Sequence, residues 1–142
     1  MTSDRRFQPL IDDLVQSLKD KQQKESDQSD RFNEVTNAFR PTEDYLAELG
    51  KELRNGVEQS IDIRSVGGWR EASDQRLTRR YEVVLRGNVC HVLIFIVQGK
   101  RIEVAGNFFA IDDYAALEEA LGKLVVDALK QAIRTQPTPK SA

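Results

Sequence analysis

The distribution of apolar residues predicts an α+β protein, with helices at both ends of the chain and a four-stranded antiparallel meander between them. Three observations carry this reading. Apolar residues recur at helical spacing before residue 56 and after residue 112, they alternate with period two between 57 and 85, and Gly-containing pairs separate the strands. A chain of 142 residues, 39% apolar and 31% charged, is long enough to bury a core without metal or disulfide support. Residues 1–136 are read as one domain, with 1–56 helical and 57–136 forming the meander plus a helix; 137–142, with Pro137 and Pro139, are read as a disordered tail.

Phe7, Leu10, Ile11, Leu14, Val15 and Leu18 define the first amphipathic helix, which starts near Phe7 because Pro9 is tolerated only in a first turn. No apolar residue occurs in 19–31, after which Phe32, Val35 and Phe39 resume the pattern. Leu18 and Phe32 are fourteen residues apart, two whole heptads, so Ile11, Leu18, Phe32 and Phe39 share one heptad position. That shared register favours one helix with a solvated middle over a linker, although the composition of 19–31 permits both. Arg40-Pro41 should close the helix, because the residue before proline is pushed out of the α region. Thr42 should then cap a short helix carrying Tyr45, Leu46, Leu49 and Leu53, ended by Asn55-Gly56.

Val57, Gln59, Ile61 and Ile63 alternate with polar residues as a first strand, broken by Gly67-Gly68, with 69–75 as a loop. Leu77 to Leu85 is the second strand. Gly87-Asn88 signals a hairpin into a third strand from Val89 to Val97. Gln98-Gly99-Lys100 turns the chain into a fourth strand through Ile102, Val104, Gly106 and Phe108. Asp112, with Asp113 behind it, should cap the last helix, whose stripe runs through Leu117, Leu121, Val125 and Leu129.

The third strand is apolar on both faces, and this sets the main functional expectation. A turn at Gly87-Asn88 pairs Leu85 with Cys90 and Val83 with Val92, so one face collects Tyr81, Val83, Leu85, Cys90, Val92, Ile94 and Ile96. The other collects Val84, Leu93, Phe95 and Val97, with Arg80 and His91 among them. Leaving the second set wet would forfeit several kcal/mol at about 25 cal/mol per Å². Val84, Leu93, Phe95 and Val97 are therefore read as a protein interface, covered by the N-terminal helices or by a second subunit. Leu14, Leu18, Phe32 and Phe39 are read as the matching helix surface, which could pair with a partner or pack back on the sheet.

Chemistry is harder to find. Cys90 is the single cysteine and His91 the single histidine; adjacent on a strand, they should point to opposite faces, which argues against a Cys–His pair or a zinc site using both. Asp12-Asp13 and Asp112-Asp113 are adjacent on helices and do not face each other. Gly67-Gly68-Trp69-Arg70 lacks the context of a phosphate loop. No catalytic residue, cofactor or metal site is read.

Between 64 and 86 there are six arginines and no lysine, and Arg76, Arg80 and Arg86 fall on one strand face by period two. With Trp69 and Tyr81 nearby, that face suits phosphate contact and base stacking, or else ion pairs with Glu71, Asp74 and Glu82. The net charge of −2 is unlike that of a DNA-wrapping protein. The longest strictly apolar run, Val92 to Val97, is far short of the roughly 20 residues that span a bilayer. Lacking also a disulfide and an apolar signal core, the protein is read as cytoplasmic. The leading functional reading is a non-catalytic interaction protein and homodimer; nucleic-acid or anion binding is second, and an enzyme third.

Overall fold

The computed structural model describes residues 6–72 and 75–136; the expected tail at 137–142 lies outside them. The broad α+β class holds, with five strands instead of four. The elements are α1 (Gln8–Gly56), β1 (Asp62–Glu71), β2 (Leu77–Leu85), β3 (Asn88–Gln98), β4 (Arg101–Val104), β5 (Asn107–Ala110) and α2 (Tyr114–Thr135). The chain divides into two compact units, Met1–Val35 and Thr36–Ala142.

In the first unit α1 runs through the polar stretch 19–31 without interruption. Side-chain hydrogen bonds one turn apart support it: Gln8 donates to Asp12 at 2.9 Å, Gln16 to Asp20 at 3.0 Å and Gln23 to Asp27 at 2.9 Å.

The second unit corrects the expected break at Pro41. Proline inside a helix forfeits one backbone hydrogen bond and costs about 3 kcal/mol, yet α1 continues through it to Gly56. Pro41 and Asn37 are both exposed, so water can reach the carbonyl that the missing N–H leaves open. Phe39, Thr42 and Leu46 are buried on the opposite side, and tertiary burial on both sides of the proline holds the helix together. Thr42 is therefore a buried helical residue, not a cap.

The sheet is an antiparallel meander in the order β1-β2-β3-β4-β5. The expected first strand at 57–63 is displaced towards the C-terminus, because the chain leaves α1 through backbone bonds from Val57 and Glu58 to the Leu53 carbonyl. Gly67-Gly68 does not end β1 but forms a bulge in it, with Gly67 at φ +77°, and Trp69 lies on the strand beyond, not in a loop. The expected fourth strand is two strands, folded at Ala105-Gly106, where both residues have positive φ. Asp113, not Asp112, caps α2: its carboxylate accepts from the Ala116 N–H.

The largest correction concerns the β2–β3 hairpin. Leu85 pairs with Asn88, so the turn residues are Arg86 and Gly87, both with positive φ, as in a type I′ turn. A bulge at Val83/Val84 leaves Cys90 without a partner in the ladder and sets Val83 opposite His91, Tyr81 opposite Leu93, Arg79 opposite Phe95 and Leu77 opposite Val97. A one-residue change of pairing moves every side chain to the other face. Tyr81 and Val83 thus share a face with Leu93, Phe95 and Val97, while Val92, Ile94 and Ile96 lie with Thr78, Arg80 and Glu82.

The inner face is the core. Phe39 from α1 meets Trp69, Phe95 and Tyr81 with ring centroids 5.1, 5.0 and 6.3 Å away, and Leu117, Leu121, Val125 and Leu129 of α2 are buried with them. The Tyr114 hydroxyl donates to the Ala38 carbonyl at 2.9 Å, joining the first turn of α2 to α1. Val84, Leu93, Phe95 and Val97, expected as an interface, are all buried within the single chain. Phe95→Ala should cost about 3–5 kcal/mol in urea denaturation. Phe95→Glu should abolish folding, not release monomers; a folded Phe95→Glu protein by circular dichroism would contradict this placement.

Candidate interaction surfaces

Two surfaces and a groove stand out among the described residues. The first surface is on α1 in the first unit. Phe7, just before α1, and Leu10, Ile11, Leu14, Val15 and Leu18 within it are 43–67% exposed, the largest run of open apolar side chains among the described residues. They fall on one stripe of the helix, while Asp12, Asp13, Lys19 and Asp20 lie on the far side. Of the four helix residues singled out by sequence, Leu14 and Leu18 lie on this stripe. Phe32 is half-buried and Phe39 sits in the core, so the heptad register that links them does not give them a common role.

The second surface is the outer face of the sheet. Ile94 is 50% exposed at its centre, and Phe108 on β5 is 59% exposed beneath the Arg101 guanidinium, 5.3 Å from its ring centroid. Arginines and acids surround them. Arg64 pairs with Glu82 at 3.1 Å, and Arg80 reaches the same carboxylate at 3.9 Å. Arg86 does not share this face: it occupies the hairpin turn and binds Glu58 at 2.8 Å. Arg86 and the Ser60 hydroxyl hold the Glu58 carboxyl below its ordinary range.

Arg76 precedes β2, ten residues from Arg86, which is about 33 Å along a strand. The three arginines expected to bind anions are therefore not gathered into one site. Tyr81 is buried, and the half-buried Trp69 meets the Phe39 ring edge-on. Burial pushes the Tyr81 hydroxyl up to about 12.

The groove lies between the start of β3 and the end of α2, lined by Val89, Cys90, His91, Ala128, Gln131, Ala132, Thr135 and Gln136. The bulge at Cys90 breaks the strict alternation of the strand, so Cys90 and His91 line the same groove instead of opposite faces. The Cys90 thiol donates to the Val83 carbonyl at 3.3 Å, and burial raises its pKa. Both effects keep the sulfur protonated, which is the reverse of nucleophile activation. Among the described residues no three His, Cys, Asp or Glu side chains are grouped to hold a metal ion, and no helix is long and apolar enough to cross a membrane. Comparison with family models, curated proteins and solved structures finds no match for this chain.

Two outcomes follow from this geometry. Alkylation of Cys90 at neutral pH should be slower than that of a free thiol, rising only above the ordinary thiol pKa near 8.5; rapid reaction with iodoacetamide at pH 7 would contradict the raised value. Duplex or single-stranded nucleic acid should bind weakly even at low salt, and Arg80→Glu should change little. A steep fall of affinity with salt would instead reveal phosphate contacts.

Proposed function

We propose that this protein is a non-catalytic interaction protein, an adaptor, chaperone-like or regulatory factor, that recruits its partner through the apolar face of residues 7–18. The single observation that carries the reading is the stripe of six large apolar side chains, each at least 43% exposed. Water-exposed apolar area is worth about 25 cal/mol per Å² to whatever covers it, and a contiguous patch of this kind on a soluble protein marks an interaction site. A helical stripe of this width suits a second helix laid along it, with anchors at i, i+3, i+4 and i+7.

The Leu14→Glu/Leu18→Glu variant tests the reading. It should keep the wild-type helical circular dichroism and urea midpoint, since neither side chain is buried, and should lose partner capture in a pull-down. A variant that captures partners as well as wild type would move the interaction to another surface.

A further inference from the structure

We infer that the occupant of the 7–18 stripe is a second copy of the same stripe, laid antiparallel across a two-fold axis. This rests on the interaction role proposed above and names the partner. Written in heptads, Phe7 and Leu14 take position d and Ile11 and Leu18 position a. Antiparallel helices pack a against d. Reversing the segment on itself sets Ile11 against Leu14 of the second copy, and Phe7 against Leu18 of the second copy. The pairing returns to itself after rotation, so all four layers are apolar, as a two-fold interface requires.

The flanking positions agree. Leu10 comes beside Ser17 of the second copy and Val15 beside Gln8, while the Arg6 guanidinium, 5.7 Å from the Phe7 ring centroid, stands at the outer end of the seam. Asp12 and Asp13, next to the two-fold axis along the sequence, lie on the far side of the helix. Parallel pairing would also give apolar layers through Leu18, but its next layers would set Lys21 against Lys21 and Glu25 against Glu25. Like charges facing across a seam are destabilising, and antiparallel helices also oppose their dipoles.

The area suffices. Half-exposed side chains of this size leave about 100 Å² each open to water, so the stripes of two copies present roughly 1,200 Å² to be buried, the lower edge of the range for specific interfaces. Interfaces of a given size span a wide range of affinities, so the micromolar range is the one to sample first.

Sedimentation velocity across that range should show a 16.2 kDa chain passing into a species of twice the mass as concentration rises. Leu14→Glu, which sets two carboxylates into the central layers, should hold it monomeric at every concentration with its thermal unfolding unchanged. Orientation is read separately. In a Cys90→Ser background, a spin label at Lys24→Cys should give a label–label distance of about 35 Å, from the separation of the two positions at about 1.5 Å per residue along antiparallel helices. A distance under about 20 Å means parallel helices and overturns the antiparallel seam. A wild type that stays monomeric, or a dimer indifferent to Leu14→Glu, overturns the inference outright. If the monomeric wild type still captures another protein in a Leu14-dependent way, the second copy is excluded while the proposed function stands.

Discussion

The guanidinium of Arg79 is the point on which the folded unit depends. Its side chain is only 11% exposed, and burying a cation is costly unless charge and hydrogen bonds compensate. Glu43 of α1 accepts from both terminal nitrogens, at 3.2 and 3.3 Å. Ser65 of β1 accepts at 3.3 and 3.4 Å, and its own hydroxyl donates to the Gly67 carbonyl at 2.7 Å. The rings of Tyr81, Phe39 and Trp69 lie 5.1, 5.7 and 6.0 Å from the guanidinium carbon. One cation thus ties α1, β1 and β2 around the aromatic cluster, and its planar fork and flat face suit both kinds of partner, which lysine would not. Three buried polar atoms, Thr42 Oγ1, Trp69 Nε1 and Tyr81 Oη, have no hydrogen-bond partner among the described residues. Their desolvation is a cost that the ring contacts and the Arg79–Glu43 pair offset.

Arg79 also decides which way the sheet faces. It stands opposite Phe95 in the β2–β3 ladder, so the cation and the most buried ring of β3 enter the same side. The alternating residues Val92, Ile94 and Ile96 are turned outward beside Arg80 and Glu82. The apolar doubling of β3 therefore has two sources. One set of side chains fills the core, and the other forms the half-exposed centre of an otherwise charged outer face.

A single heptad register on α1 serves two ends. Phe39 and Leu46 bury in the chain's own core, while Ile11 and Leu18, at the same heptad position, stand in water. The polar residues of 19–31 separate the two stretches without ending the helix, because Gln–Asp bonds one turn apart supply local support where packing supplies none. Gly122 illustrates the closeness of the packing in the second unit. A Cβ there would come within 2.7 Å of the Tyr45 hydroxyl, so α2 carries glycine where α1 approaches, at the usual expense in helix propensity. Burial, with the nearby Glu118 carboxylate, raises the pKa of that hydroxyl.

Much of this was legible in the residues alone. Period and register fixed α2, strands β2 and β3 and the apolar stripe through Leu14 and Leu18, and favoured a continuous helix through 19–31, because each depends on spacing within one segment. What spacing could not give was the partner of each face. Pro41 reads as a helix end by local propensity, and only the burial of Phe39, Thr42 and Leu46 on both sides of it keeps α1 whole. The hairpin turn sits one residue earlier than Gly87-Asn88 suggests, since Arg86 accepts a positive φ that local preference disfavours. That shift, together with the bulge at Cys90, exchanges the inner and outer sets of β3. The observed register brings Arg79 to Glu43 and Phe95 to Phe39, contacts between segments far apart in the chain. Local spacing therefore determined the elements and their apolar stripes, and tertiary packing alone decided which stripe became core and which was left open.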